Sequence, residues 1–143
     1  KYEDLPHEPE PPTLVTGGLG YAWGTELSEN GVYHANTWNG AFPAYDTGAD
    51  GYPLTSPVGA FGTTTLGLTD MGGNVWEWTD SWFRPYAERG TPFTPTSASE
   101  RVQRGGSFLC EPGWCHGYRV SARSHATPET SLYHVGFRCV RDV

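Results

Sequence analysis

Basic residues are scarce in this chain: Lys and Arg together number 9 against 16 Asp and Glu, a formal net charge of −7 over 143 residues. No basic stripe is available to neutralise phosphates, so a nucleic-acid partner is not expected. No apolar run approaches the length of a membrane span, and no membrane partner is expected either. The amino-terminal residues lack the basic and apolar regions of a signal peptide, which leaves bacterial cytoplasm and secretory compartment both open. Cysteine is limited to 3 residues, which cannot all pair internally and do not make a disulfide scaffold at this length. Strong helix formers are sparse as well, against a helical protein.

What the chain has instead is Gly 19, Pro 12, Trp 6 and Tyr 8, the composition of short strands and long ordered loops held together by large rings. The length suits one domain with a core of its own. Residues 1–14, KYEDLPHEPEPPTL, are rich in proline and acidic side chains and read as an extended arm or linker, with a domain over 15–143. Trp23, Tyr33, Trp38 and Phe42 are spaced irregularly, as in loops folded around ring packing. Leu54, Val58, Phe61 and Leu66 alternate with turn residues and suggest brief strands between Gly51 and Thr69. MGGNVWEWTDSWF reads as a strand, with Val75, Glu77 and Thr79 on one side and Trp76, Trp78 and Asp80 on the other. Pro85, Pro92 and Pro95 make Arg84 to Ser99 a surface loop; RVQRGGSFLC and HVGFRCVRDV are further strand candidates, with GYRVSARS between them.

The feature richest in chemistry is the pair Cys110 and Cys115. Pro112 and Gly113 suit the central positions of a type II turn, which would set the two cysteines facing each other across the arms. Cross-strand Cβ atoms lie about 4.5 to 5.5 Å apart, close enough for a disulfide or for two thiolates on one soft ion. Both readings stand on the residues alone. Zinc held by the two cysteines with His116 or His134 is weaker, because no second cysteine pair closes a tetrahedral site.

GLTDMGGNVWEWTDSWF, then RVQRGGSFLC, a second cysteine, YRVSARS, a Thr-Pro dipeptide and VGFRCV together resemble the formylglycine-generating enzyme family, the sulfatase-modifying factors, from about Gly18 to Val140. GGLGYAWGTEL, HANTWNGAFPAYDTGADG and TSPVGAFGTTTLGL resemble earlier segments of that family in the same order. GGNVWEW and GFR recur across a wider superfamily and mark the fold; Ser107, Cys110 and Cys115 mark the catalytic members. The resemblance implies an α+β fold with little regular secondary structure, a C-type-lectin-like variant. It also implies an activity: oxidation by dioxygen of a cysteine in a CxPxR motif of an unfolded sulfatase-like protein to Cα-formylglycine. Cu(I) would sit on Cys110 and Cys115, with the substrate cysteine as third ligand. Ser107 would stand beside bound oxygen, or be a hydroxyl satisfied by backbone, and Trp76 would line the oxygen pocket, or be a core ring.

Two calcium sites are also implied by the resemblance. The first comprises Asn36, Thr37, Asp50 and Tyr52, the second Asp70, Gly73, Val75 and Glu77, with Thr37, Tyr52, Gly73 and Val75 giving main-chain carbonyls. Turn chemistry is the alternative reading of Asp50 and Asp70. Glu111, Pro112 and Gly113 differ from the family's polar run, and Tyr133 and His134 stand where its catalytic members carry small polar residues. Cys139 is expected to be a buried small hydrophobe or half of a structural disulfide. Arg119, Arg123 and Arg138 read first as ion-pair partners of acidic loops. The family's domain is about twice this length, near the upper end of domain sizes, so the resemblance leaves two expectations: a fragment completed by an amino-terminal half or a companion chain, or a compact variant that keeps the metal turn on a reduced lectin-like core. The alternative function is a non-catalytic lectin-fold ligand-binding module, its cysteines joined as a disulfide.

Overall fold

The computed structural model describes residues 20–141, so the arm assigned to residues 1–14 lies outside the described residues. Eight short strands appear: β1 Ser28–Glu29, β2 Val32–Tyr33, β3 Gly40–Ala41, β4 Tyr45–Asp46, β5 Trp76–Trp82, β6 Arg101–Arg104, β7 Ser124–Ala126 and β8 Val135–Gly136. The longest, β5, has the sequence WEWTDSW, whose aromatic and β-branched side chains fit a half-buried pleat. A single 3-10 turn, Tyr86–Glu88, is the helical element among the described residues. The class is therefore the expected one, loop-dominated with few strands.

Strands β1 and β2 form an antiparallel hairpin reversed at Asn30 and Gly31, whose φ of 52° and 79° match the primed turns that suit strand twist. Strands β3 and β4 form a second hairpin. The main sheet has the order β7-β6-β5-β8, with β6 antiparallel to both neighbours and β8 parallel to β5. Register shifts between Trp78 and Trp82, where Thr79 Oγ1 donates to the Val102 carbonyl at 3.1 Å. Strand β6 stops at Arg104 because Gly105 and Gly106 adopt φ of 93° and 70°, so the expected strand RVQRGGSFLC is half turn.

Several expectations need correction. The stretch from Gly51 to Thr69 holds no strand; its backbone closes on itself through turns such as Gly62 N to Gly59 O at 3.1 Å and Gly67 N to Thr64 O at 2.9 Å. HVGFRCVRDV contributes only Val135–Gly136, and Cys139 is exposed with a free thiol, not buried. Arg138 makes the expected ion pair with Glu77, whereas Arg123 stacks its guanidinium over Tyr86 at 4.0 Å and Phe83 at 4.7 Å. The segment from Arg84 to Ser99 is the expected surface loop.

Among the described residues the buried apolar core is small: Ala35, Val102, Phe108, Cys110 and Tyr118. Asn36, Thr37, Gln103 and Ser107 are buried beside them, so polar groups make up much of the interior. Rings stitch the periphery, with Tyr21 stacked on Trp23 at 5.3 Å and tilted against Tyr118 at 5.6 Å.

Candidate functional site

After β6 the chain turns at Gly105 and Gly106 and enters the core at Ser107, Phe108 and Cys110, each 1% exposed. Cys110 N donates to the Ser107 carbonyl at 2.9 Å, and Ser107 N points at Cys110 Sγ from 3.4 Å. The serine hydroxyl accepts from Leu109 N at 3.2 Å, so one lone pair is held by backbone. The next reversal is not a type II turn: Gly113 lacks the positive φ that type requires. Both Trp114 N (3.0 Å) and Cys115 N (2.9 Å) instead donate to the Glu111 carbonyl, giving one helix-like turn. It still brings Cys110 and Cys115 face to face, their Cα atoms 4.9 Å apart, with the sulfurs joined as a disulfide, one of the two readings the residues left open.

Trp76 forms the wall behind this turn. Its ring lies so close to Gly117 that a Cβ there would come within 2.4 Å of Cη2, and the same Cβ would meet Gly106 Cα at 2.9 Å. Trp76 N donates to the His134 carbonyl at 2.9 Å, fixing the ring's backbone through β8. Exposed Trp114 tilts against Phe42, ring centroids 6.0 Å apart, and Phe42 meets Trp38 edge-on at 5.2 Å. Trp38 N donates to the Cys110 carbonyl at 3.1 Å, which ties this aromatic corner to the sulfur turn.

Burial lowers the affinity of His116 for a proton, and nearby Arg119 adds to the effect while Glu111 opposes it. Burial alone does the same to His134, whose buried Nδ1 has no hydrogen-bond partner. Tyr118 is pushed well above the ordinary phenol range by burial, and its hydroxyl is also unpartnered. Neither histidine joins the two sulfurs in a cluster: among the described residues no three His, Cys, Asp or Glu side chains converge to hold a metal. No third and fourth protein ligand for zinc therefore stands beside the sulfurs among the described residues. A reduced pair of sulfurs, one buried and one half-exposed, fits an ion content with two soft ligands.

Residues of the first calcium set do come together. Asp50 accepts from Thr37 N at 2.8 Å and Tyr52 N at 2.9 Å, and desolvation still raises its proton affinity above that of an ordinary carboxyl. Asn36 Nδ2 donates to the Leu54 carbonyl at 2.7 Å while its buried Oδ1 has no partner. The desolvated Asp50 carboxylate and the idle Asn36 amide oxygen are hard oxygen donors, the ligand type that calcium takes. In the second set Glu77 is clamped by Arg138, and Asp70 Oδ2 accepts from Gly59 N at 2.7 Å.

Asn74, not singled out from the sequence, is the hub between these regions. With φ of 65°, its Oδ1 accepts from Ser56 N at 2.9 Å and Asn36 Nδ2 at 3.3 Å, while its backbone bonds Asn36 O and Phe108 N. The available signal was an Asn after two glycines, the residue that tolerates left-handed backbone best after Gly.

This loop-dominated domain with its few short strands has the formylglycine-generating-enzyme fold. The chain belongs to the family of the sulfatase-modifying factor enzyme 1-like domain, which it matches over residues 3–143. It is 44% identical to a formylglycine-generating enzyme of Thermomonospora curvata over 96% of this chain and 49% of that protein. It is 45% identical to one of Streptomyces coelicolor over 96% of this chain and 46% of that protein. A mouse protein named inactive C-alpha-formylglycine-generating enzyme 2 is 36% identical over 94% of this chain and 42% of that protein. The solved structure of PvdO from Pseudomonas aeruginosa superposes with a TM-score of 0.57 at 31% identity, over 73% of this chain and 37% of that one. The chain thus spans about half the length of the curated relatives it matches.

Proposed function

We propose that this chain carries the metal turn of an oxidase that converts a cysteine in a sulfatase-type CxPxR peptide to Cα-formylglycine, with dioxygen as oxidant and Cu(I) on Cys110 and Cys115. The observation that carries the reading is the sulfur pair itself: two cysteines on one turn, with Ser107 N aimed at the inner sulfur. Relatives named formylglycine-generating enzyme at 44 and 45% identity support it. Bound copper would supply the one-electron chemistry that lets dioxygen react with a thiol, which amino-acid side chains lack.

The chain's own residues do the rest. Phe108 and the buried face of Cys110 keep water from the inner sulfur, so a substrate approaches from half-exposed Cys115. The Ser107 N–H points at the Cys110 sulfur and helps to orient it. Trp76 closes the site from below and holds Gly117 in place. The partner is a cysteine-containing peptide of an unfolded sulfatase-like protein, bound together with an amino-terminal half or companion chain that completes the domain. Asn36, Thr37, Asp50 and Tyr52 would hold calcium, which would tie the loops that flank Trp38.

A second reading, a non-catalytic lectin-fold binding module, is favoured by the sulfur–sulfur bond, since a disulfide leaves no thiolate for a metal. Anaerobic Cu(I) titration of the reduced chain against a competing chelator, beside Cys110→Ser, separates the two. Tight one-to-one binding lost in the variant is the expected result. Weak binding indifferent to the substitution would remove the copper site and leave the module.

A further inference from the structure

The second candidate calcium set contains a cation of the chain's own. Both oxygens of the Glu77 carboxylate are taken by the Arg138 guanidinium, Nε to Oε2 at 2.6 Å and Nη2 to Oε1 at 2.5 Å. The same guanidinium reaches across to the loop before β5, donating to the Thr69 carbonyl at 3.1 Å and the Asp70 carbonyl at 2.8 Å. One planar fork thus gathers a carboxylate of the central strand and two loop carbonyls. Gathering those oxygens is the task a calcium ion would perform there. We propose that Arg138 is the resident cation of this junction, and that the set Asp70, Gly73, Val75 and Glu77 does not take up calcium.

Charge decides the matter. Calcium sites tune affinity by the number of carboxylates facing the ion and want six to eight oxygens. Pairing with Arg138 cancels the charge of Glu77, and Asp70, whose Oδ2 already accepts from Gly59 N, is left as the lone uncompensated acid of the set. A divalent ion entering there would meet a guanidinium sharing its principal ligand. The first set differs in having no cation of the chain: Asp50 also accepts backbone N–H groups, from Thr37 and Tyr52, but has no ion-pair partner among the described residues, and Asn36 offers a buried oxygen with nothing to accept. With calcium on the first set, the two loop systems would be tied by different cations, one drawn from solution and one encoded in the chain. Their salt and chelator sensitivities should differ accordingly.

Calcium stoichiometry on the full chain, measured by equilibrium dialysis with radioactive calcium, tests the inference. Wild type and Glu77→Gln are expected to bind the same amount, because no bound calcium depends on Glu77. Loss of one calcium ion per chain in Glu77→Gln would overturn the proposal. Should Glu77→Gln fail to fold, Asp70→Asn leaves the guanidinium fork intact and gives the same comparison: unchanged stoichiometry supports the inference, loss of one ion defeats it. Arg138→Gln in the Asp50→Asn background is expected to gain one calcium ion, and thermal unfolding of that variant should shift upward by several degrees on adding calcium.

Discussion

Residues 106–118 and residues 54–71 are built on opposite plans. In the first, ring and backbone meet with no room for one more carbon, and Phe108, Cys110 and Tyr118 are each 1% exposed. In the second, Leu54, Val58, Leu66, Leu68 and Met71 face solvent, and the segment is tethered by carboxamide and carboxylate bonds from Asn74 and Asp70. One region is fixed by shape, the other by a few oxygens. The sulfur turn therefore inherits its geometry from packing, whereas the outlying loop can vary in sequence while its tethers persist.

The sharpest way to break this contrast is Gly117→Ala. Its Cβ would overlap the Trp76 ring, so a loss of about 1–3 kcal/mol is expected from overpacking, read by urea unfolding. A loss below that range would show that Trp76 can move aside and that the wall is not rigid. A smaller effect comes from pH. His116 and His134 both bind protons less readily when folded, so their share of stability is intact above the ordinary imidazole value of 6.5. It falls as the pH drops through the lower folded values, because the unfolded chain then binds more protons. Unfolding followed between pH 7.5 and 5 should show the decline, and His134→Gln should shallow it; an unchanged slope would exclude His134 as a source. The smallest effect is expected from Leu66→Ser in the loop, within about 0.5 kcal/mol, since a surface side chain away from caps and cores contributes little. A larger loss would mean that this loop is packed after all.

The sequence carried the site better than the architecture around it. The six-residue span from Cys110 to Cys115 is local, so its closure was readable from turn residues even though the turn proved helix-like. Strand β5 was readable for the same reason, since Trp76, Trp78 and Trp82 recur at even spacings among polar residues. What stayed hidden was long-range: Asn74 reaching Ser56 and Asn36, and Arg138 reaching Glu77, depend on chain reversals that no local period announces. Cys139 is exposed although a run such as GFRCV looks like a buried strand. The chain leaves the sheet after Gly136, and Phe137, Arg138 and Cys139 all lie at the surface, Arg138 holding Glu77 from there.

The parallel pairing of β8 with β5 has a consequence in time. Parallel neighbours cannot be joined by a tight turn, and here the partner of Trp76 is Val135, supplied after the whole sulfur turn has been made. On a ribosome, which releases the chain from its amino end, the tryptophan wall waits for its last tether while the turn it supports already exists. Such a distant contact is slow to form, because the closure entropy of the intervening chain must be met first. The order of synthesis thus runs from turn to tether, and Trp76 gains its backbone partner only once Val135 is in place.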